Sequence, residues 1–337
     1  MINYTYKSVF ARFFLDFIHM KDAMGYGTPK IEYILKELDI FFSKESVNEP
    51  IITKSLIVKW RNEKANESER TLYDKWSIIS QFSRYMGHLG YPCYVPPMPL
   101  KHFNHNSFVP YIFTHEQIQA LFEASDGLTM IYNNMDSKMF CVPAMLRLLY
   151  GTGLRIGEAT SLTNGDVDFE KGIILLRKTK NQQQRIVIMT PSLKEVLQQY
   201  VSYKRKLPIQ HTSDKDAPFF ISPSGSAVSK CSFYSWYRKL LRTCGIPFIG
   251  NNRGPRVHDL RHTFAVHSLM KLVKDGVDIY CALPILATYM GHKTLMGTER
   301  YVRLTQEMYP DIIHLEESVS SYVFPSIALM KRANENE

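Results

Sequence analysis

The length, composition and charge of the chain exclude several classes of protein. Its 337 residues suit two domains better than one small domain, and the 45% of hydrophobic residues provide sizeable cores and exclude global disorder. Lysine and arginine total 41 against 32 acidic residues, and the net charge of +9 favours a polyanionic partner such as nucleic acid. Five cysteines without CxxC spacing argue against a disulfide framework and a zinc site, so free thiols in a reducing cytosol are expected.

Neither a leader nor a membrane span is visible in the sequence. The N-terminal residues lack a charged stretch followed by a long apolar run, and no apolar run approaches the ~20 residues that a membrane-spanning helix needs. We therefore expect a cytoplasmic protein with no membrane partner.

The first hundred residues predict a bundle of about four helices. Apolar residues recur at helical spacing, and Thr53 and Asn66 are candidate N-caps of two of the helices. The aromatic stripes of these helices are expected to form a core. The proline-rich residues 91–99 cannot be helical and predict a linker, which places a domain boundary near residue 106.

Residues 107–306 predict a second domain that is mainly α-helical with a small antiparallel β-sheet. Thr114 is expected to cap its first helix, and an apolar helix over residues 140–150 is expected to end at Gly151. Two short strands, 173–176 and 185–189, flank a polar turn. Further helices are predicted at 191–203, 230–243 and 258–274.

Arg155 follows the glycine-rich end of the apolar helix, and Glu158 lies where it can orient that arginine. A planar guanidinium donates two parallel hydrogen bonds and stays charged, which suits a phosphate. The alternative is a structural Arg–Glu pair at a helix end.

A second motif places His258 and Arg261 three residues apart, so one helical face presents a proton-transfer group beside a phosphate clamp. The alternative is a charged surface at the start of a helix. His262, the next residue along the chain, could instead be the functional imidazole. Its neighbouring position is predicted to point elsewhere, which favours a role in packing or in supporting the site residues.

A third motif ends a helix at Gly291, which allows the imidazole of His292 to approach a ligand closely. Tyr301 follows nine residues later and is a candidate nucleophile. One tyrosine among 20 is weak evidence, but the relation to the Gly-His turn singles this one out. Because a phenol ordinarily has a pKa of about 10, it needs help from arginines and a histidine.

Lys180 lies in the basic turn between the two strands, where a flexible ammonium can donate a proton to a leaving alkoxide. Lys178 is an alternative, and a solvated turn is another. Two guanidiniums, two imidazoles, one amine and one phenol together supply what is needed to hold a phosphodiester, attack it and protonate the leaving oxygen without a metal.

These motifs, in this order, resemble those of the tyrosine recombinase family, also called phage-type integrases. The matching residues are 153–158, Leu162, Thr163, Asp166, 258–262, Gly291, His292 and Tyr301. Residues 1–106 resemble the family's core-binding DNA-binding domain more loosely. The long segment between Arg261 and His292 is similar to that of transposon-encoded members.

The resemblance implies a site-specific DNA recombinase that works through a 3′-phosphotyrosyl intermediate in integration, excision or transposition of a mobile element. Tyr301 would attack the scissile phosphate, while Arg155 and Arg261 would hold its non-bridging oxygens. Lys180, which aligns better than Lys178, would protonate the leaving 5′-oxygen. His258 would assist proton transfer and His292 would contact the phosphate. No cofactor is implied, neither a metal nor ATP.

The implied partners are double-stranded DNA recombination sites, further copies of the chain in a tetramer on two DNA sites, and an accessory DNA-bending factor. The implied location is the bacterial nucleoid when DNA is bound. Residues 307–337 would form a tail with a helix that docks on a neighbouring protomer. The basic residues predicted to contact DNA phosphates are Arg177, Lys178, Arg185, Lys204, Arg205, Lys206, Arg238 and Lys239.

Two other functions remain open at this point. A type IB topoisomerase-like enzyme would use the same cleavage chemistry, and relaxation of plain supercoiled plasmid by a monomer would favour it. A non-catalytic DNA-binding regulator would keep the fold without the reaction. The presence of all six candidate groups argues against the regulator.

Overall fold

Two units, Met1–Phe108 and Val109–Glu337, make up the chain. The computed structural model describes residues 4–64, 66–98, 110–129, 134–177, 184–248, 254–292 and 296–309, without the side chains of 296, 297, 300 and 306–308. Lys178, Lys180 and residues 310–337 of the predicted tail lie outside the described residues. No helix in the described part of the chain is long and apolar enough to cross a membrane.

The first unit contains the predicted bundle of four helices. They are α1 (Ala11–Ala23), α2 (Pro29–Lys44), α3 (Lys54–Glu63) and α4 (Glu69–His88). The aromatic stripes form the core, as predicted, and its largest fully buried side chains are Phe10, Phe14, Phe17, Phe42, Trp60 and Phe82. Burial of such rings is the main favourable contribution to the stability of a bundle of this size.

The N-caps of the third and fourth helices differ in how well the sequence predicted them. Thr53 caps α3 by accepting a hydrogen bond from the backbone of Leu56, as predicted. Asn66 was the wrong choice for α4, because Ser68 is the capping residue and accepts from the backbone of Thr71. Either side chain can cap a helix. The observed choice follows from the extended backbone of Ser68, which turns its hydroxyl towards the first helical turn.

The second unit is mainly α-helical with one three-stranded antiparallel sheet, which confirms the predicted fold class. Its helices are α5 (His115–Asp126), α6 (Val142–Thr152), α7 (Ile156–Thr160), α8 (Pro191–Arg205), α9 (Lys230–Thr243), α10 (Val257–Lys274), α11 (Ile279–Met290) and α12 (Met296–Met308). Its strands are β1 (Val167–Asp168), β2 (Ile173–Leu176) and β3 (Arg185–Ile188), in the order β1-β2-β3.

The pleat of β3 has a consequence for the site. Residues two apart on a strand share a face, so Arg185 lies on the same face as the buried Val187. Ile186 and Ile188 lie on the opposite face of the strand and are 55% and 65% exposed. The strand therefore turns an arginine inwards and apolar side chains outwards, opposite to the usual pattern of a half-buried strand.

Helix α10 lies at the centre of the second unit and packs against α6, α11 and α12. One apolar cluster surrounds α5, α6, α8, α9 and the sheet. A second cluster joins α10, α11 and α12, and it includes Tyr301. The predicted catalytic groups from these elements meet where α6 ends and α10, α11 and α12 pack together.

Candidate active site

A left-handed turn at the end of α6 sets the position of Arg155. The helix ends at Thr152 and not at Gly151 as predicted, because Gly153 adopts φ +61°, which a residue with a side chain adopts only at a cost. A Cβ on Gly153 would lie 2.4 Å from Cδ1 of Phe264 on α10. The close approach leaves room only for glycine, and Arg155 then begins α7 as its N-cap.

Replacing Gly153 by alanine is expected to lower the free energy of unfolding by about 2–4 kcal/mol, because overpacking adds to the strain of positive φ. Gly245 is a matched control, since its φ is +66° and a Cβ added there would meet nothing within 4 Å beyond its chain neighbours. Gly245→Ala should lower stability by only about 1 kcal/mol. Urea unfolding of both variants measures the difference, and equal losses would contradict the steric argument.

Glu158 holds two arginines at once. Its Oε1 accepts hydrogen bonds from Nη1 of Arg155 at 2.9 Å and Nη1 of Arg185 at 3.0 Å. Its Oε2 accepts from the backbone N–H of Arg155 at 2.9 Å and from Nη2 of Arg185 at 2.8 Å. Burial alone would raise the pKa of this carboxyl, but the hydrogen bonds from Arg185 and Arg155 prevail and lower it to about 2. Glu158 is therefore a fixed anion that orients Arg155, whose side chain stays 21% exposed.

The position of Arg185 corrects the sequence prediction. Arg185 was expected to contact DNA phosphates from the hairpin, but its side chain is only 11% exposed and both terminal nitrogens bind Glu158. Its guanidinium also borders the turn before His292, since a Cβ on Gly291 would lie 3.0 Å from its Nη1. Arg185 is thus part of the inner site and not of a DNA-facing surface. The inward face of β3, shared with Val187, is the signal that points to this position.

Arg261 is buried and spans the site. Its Nη1 donates to the carbonyl of Gly153 and its Nη2 to the carbonyl of Met290, both at 2.6 Å. Nη2 also lies 3.2 Å from Nε2 of His292. Burial, followed by the charge of Arg155, lowers the pKa of Arg261 to about 10, so the guanidinium remains charged at neutral pH. The ends of α6 and α11 are thereby held to one cation on α10.

His292 is a neutral imidazole with an assignable tautomer. Because Arg261 can only donate, Nε2 of His292 accepts, and Nδ1 carries the hydrogen that it donates to Oγ1 of Thr298 at 2.8 Å. Burial and then the nearby arginines, Arg261 first, lower the pKa of His292 to about 4. Gly291 ends α11 with φ +65°, as the sequence predicted for a turn that presents this imidazole.

Tyr301 is buried against His262. The tyrosine is 2% exposed, and its hydroxyl lies 2.9 Å from Nδ1 of His262. The prediction that His262 points elsewhere is wrong, because α12 packs across α10 and brings a residue 39 positions away onto this imidazole. The ring of His258, one turn earlier on α10, stands perpendicular to that of His262 with centroids 4.8 Å apart. The ring of His292 lies nearly parallel to that of Tyr301 at 6.3 Å.

The structure therefore brings together five of the six predicted catalytic residues, and the sixth, Lys180, lies outside the described residues. Arg155, Arg185 and Arg261 face one carboxylate, so the cluster keeps a surplus of positive charge. Such a surplus, together with a hydroxyl and imidazoles, suits an anionic diester and its transition state. Among the described residues, no group of three or more histidines, cysteines or carboxylates is arranged to hold a metal ion.

The other predicted DNA contacts divide into buried and exposed side chains. Lys204 is a second correction, because it is 2% exposed and its ammonium donates to Oδ1 of Asn164 and to the carbonyls of Pro218 and Phe219 at 2.7–2.9 Å. Burial lowers the pKa of this amine to about 8. Lys204 therefore braces the fold and is not available to a phosphate. The exposed predicted contacts are Arg177, Arg205, Lys206, Arg238 and Lys239.

A family model matches the second unit. The model of the phage integrase family covers residues 112–308, which is more than half of the chain. This chain belongs to the phage integrase family. The match contains every residue of the inner site described above, and membership of this tyrosine recombinase family implies cleavage and rejoining of DNA.

Curated relatives in the family cover nearly the whole chain. The protein "Putative integrase/recombinase y4rB" of Sinorhizobium fredii is 28% identical over 303 residues, which are 89% of this chain and 95% of that protein. The tyrosine recombinase XerC of Thermodesulfovibrio yellowstonii is 26% identical over 306 residues, which are 89% of this chain and 91% of that protein. Both alignments extend beyond the family model into the first unit.

Solved structures show the same fold at low sequence identity. The integrase of the Tn1549 transposon, in complex with transposon right end DNA, is 18% identical with a TM-score of 0.59 over 89% of this chain and 98% of that one. The XerH site-specific recombinase bound to difH substrate is 19% identical with a TM-score of 0.59 over 83% and 78% of the two chains. These matches establish the fold of the family for this chain.

Proposed function

We propose that this protein is a site-specific DNA recombinase that cleaves and rejoins DNA through a 3′-phosphotyrosyl intermediate on Tyr301. The single observation that carries the proposal is the position of Tyr301, whose hydroxyl contacts the imidazole of His262 while its ring lies beside His292 and within the field of the buried, charged Arg261. A phenol in that position meets the two needs of nucleophilic attack on a phosphodiester, which are a proton acceptor and stabilised anionic oxygens.

The phosphate is held by the cationic side of the site. Arg155, oriented by Glu158, and Arg261 donate to the non-bridging oxygens. His292 donates to the phosphate from Nε2 once the phosphate replaces its contact with Arg261 and its hydrogen moves to that nitrogen, while Nδ1 accepts from the hydroxyl of Thr298. Such interactions strengthen as charge develops in the pentacoordinate transition state. Lys180 is the proposed general acid for the leaving 5′-oxygen, and His258 assists proton transfer. Because the tyrosyl ester retains the energy of the broken linkage, rejoining requires neither ATP nor a metal.

The substrate is proposed to be a pair of double-stranded DNA sites on a mobile element, with four copies of the chain assembled on them and an accessory DNA-bending factor. The names of its relatives support recombination, and the fold shared with a transposon integrase supports a mobile element. Exposed basic residues at the end of α8 and on α9 remain proposed phosphate contacts, namely Arg205, Lys206, Arg238 and Lys239. Arg177 and Lys178 of the basic turn are the other proposed contacts. The tail of residues 307–337 is proposed to dock on a neighbouring protomer.

The test is a covalent-adduct assay in excess EDTA. Nicked duplexes from a library that includes sequence flanking the source gene are incubated with the wild-type protein. After cleavage, the short fragment between the cleavage site and the nick diffuses away. Its 5′-hydroxyl is then lost for rejoining, so the covalent intermediate accumulates. We expect an SDS-resistant adduct whose peptide map places DNA on Tyr301. Binding of the true site without any adduct would overturn the proposal, and an adduct only in the absence of EDTA would overturn its metal independence.

A further inference from the structure

We propose that His262 is the general base of the cleavage step, accepting the proton of Tyr301 as that tyrosine attacks the scissile phosphate. The inference rests on the proposed function and assigns a role to an imidazole for which the sequence pattern had favoured packing or support of the site residues. His262 touches the reacting oxygen itself, since its Nδ1 lies 2.9 Å from the Tyr301 hydroxyl. A general base must lie within hydrogen-bond reach of the proton that it removes, and this distance satisfies the requirement.

The surroundings fix this contact. Tyr301 is 2% exposed and His262 is 5% exposed, so bulk water has little access to the hydrogen bond and does not compete for the proton. His262 lies on the long helix α10, beside Arg261, while Tyr301 lies on α12. Packing between these two helices holds donor and acceptor in register. A base on a rigid helix is also a well-positioned base.

Groups of this chain take up and supply the protons that move during cleavage. Tyr301 Oη forms a bond to phosphorus as its proton passes to Nδ1 of His262, which must be unprotonated and therefore requires the Nε2–H tautomer. The bond from phosphorus to the 5′-oxygen breaks, and that oxygen takes a proton from the proposed acid Lys180. The diester keeps its single negative charge. In rejoining, the imidazolium returns its proton to the departing tyrosyl oxygen.

Several charged and titratable groups border the pair. His258 lies against His262 on the same helix, with ring centroids 4.8 Å apart. Tyr301 faces His262 from α12, and the ring of His292 lies beside the tyrosine ring. Arg261 is influenced by the charges of both Arg155 and Tyr301, which places the nucleophile within the field of the phosphate-binding cations. These cations favour the tyrosinate that forms as the proton leaves.

The experiment compares two histidines on α10. His262→Asn keeps a polar atom at the place of Nδ1 but cannot take up a proton. His267→Asn is the matched control, because Nδ1 of His267 also lies 2.9 Å from a tyrosine hydroxyl, that of Tyr150. We expect His262→Asn to slow single-turnover adduct formation by about 10²–10⁴-fold. His267→Asn should keep the wild-type rate, and both variants should bind DNA and unfold cooperatively.

A change in the nucleophile separates proton transfer from positioning. Fluorotyrosine installed at position 301 is more acidic than tyrosine and depends less on a base. It should therefore reduce the ratio of the adduct-formation rates of the wild-type protein and His262→Asn by several-fold. A substrate with sulfur in place of the bridging 5′-oxygen should rescue Lys180→Ala but not His262→Asn, because a thiolate leaves without an acid. The inference is overturned if His262→Asn forms the adduct at the wild-type rate, or if fluorotyrosine leaves the ratio of the two adduct-formation rates unchanged. Absence of an adduct with the wild-type protein would instead overturn the proposed function.

Discussion

Tyr301→Phe is expected to abolish the covalent adduct with DNA, lowering its rate of formation by about 10⁴-fold or more, while DNA binding is retained. The substitution removes only the nucleophilic oxygen, and loss of a nucleophile removes the chemical step that depends on it. Stability should fall by only about 1 kcal/mol, the usual net contribution of one hydrogen bond, because the ring stays buried in the α10–α12 cluster. Gel analysis of SDS-resistant complexes on nicked duplexes measures the first effect, and urea unfolding measures the second.

Tyr150→Phe is the matched control for this experiment. Its hydroxyl pairs with His267 at the same 2.9 Å that separates Tyr301 from His262, so the variant loses an equivalent tyrosine–histidine hydrogen bond. It should lose a similar amount of stability and still form the adduct at the wild-type rate. If Tyr301→Phe retained the adduct, the nucleophile would be another residue and the proposed mechanism would be wrong.

Glu158→Gln is expected to lower the free energy of unfolding by about 3–5 kcal/mol, because it leaves two partly buried guanidiniums without their buried anion. The carboxylate is 3% exposed and accepts hydrogen bonds from both Arg155 and Arg185. Adduct formation should also slow by about 10²-fold, since Arg155 loses the group that orients it. Urea unfolding and single-turnover cleavage at neutral pH test the two effects.

The effect on stability should depend on pH in a defined direction. The pKa of Glu158 lies at about 2 in the folded protein, below its ordinary value of 4.5, because the arginine hydrogen bonds outweigh the burial that would raise it. Because the pKa of Glu158 is lower in the folded than in the unfolded protein, its ionised carboxylate stabilises the fold at pH values above about 4.5. This contribution, about 3 kcal/mol, is lost as the pH falls from about 4.5 towards 2. The difference between wild type and Glu158→Gln should therefore shrink as the pH is lowered through that range.

An exposed ion pair supplies the control for Glu158. Asp126 accepts two hydrogen bonds from Arg147, at 2.9 and 2.6 Å, but its side chain is 55% exposed. Solvent screens such a pair, so Asp126→Asn should change stability by less than about 1 kcal/mol. Equal losses in the two variants would show that burial of Glu158 does not govern the strength of its pairing.

The sequence by itself determined the class of fold and most of the residues that meet at the candidate site. Local patterns marked the helices, the two longer strands and the Gly291 turn because periodicity, caps and glycines act over a few residues. They also marked Arg155, His258, Arg261, His292 and Tyr301, since each lies in a short motif. The family match over residues 112–308 bears out the recognition that those motifs supported.

Only the tertiary structure decided which of the remaining polar groups belong to the site. His262 was assigned to packing, yet it contacts Tyr301 because α10 and α12 meet across 39 residues of sequence. Arg185 and Lys204 were assigned to a DNA-facing surface by charge, yet Glu158 and a set of carbonyls hold them inside. A basic residue has the same local signature whether it faces solvent or a buried partner. The distinction depends on elements that are distant in sequence, so packing settles it and composition does not.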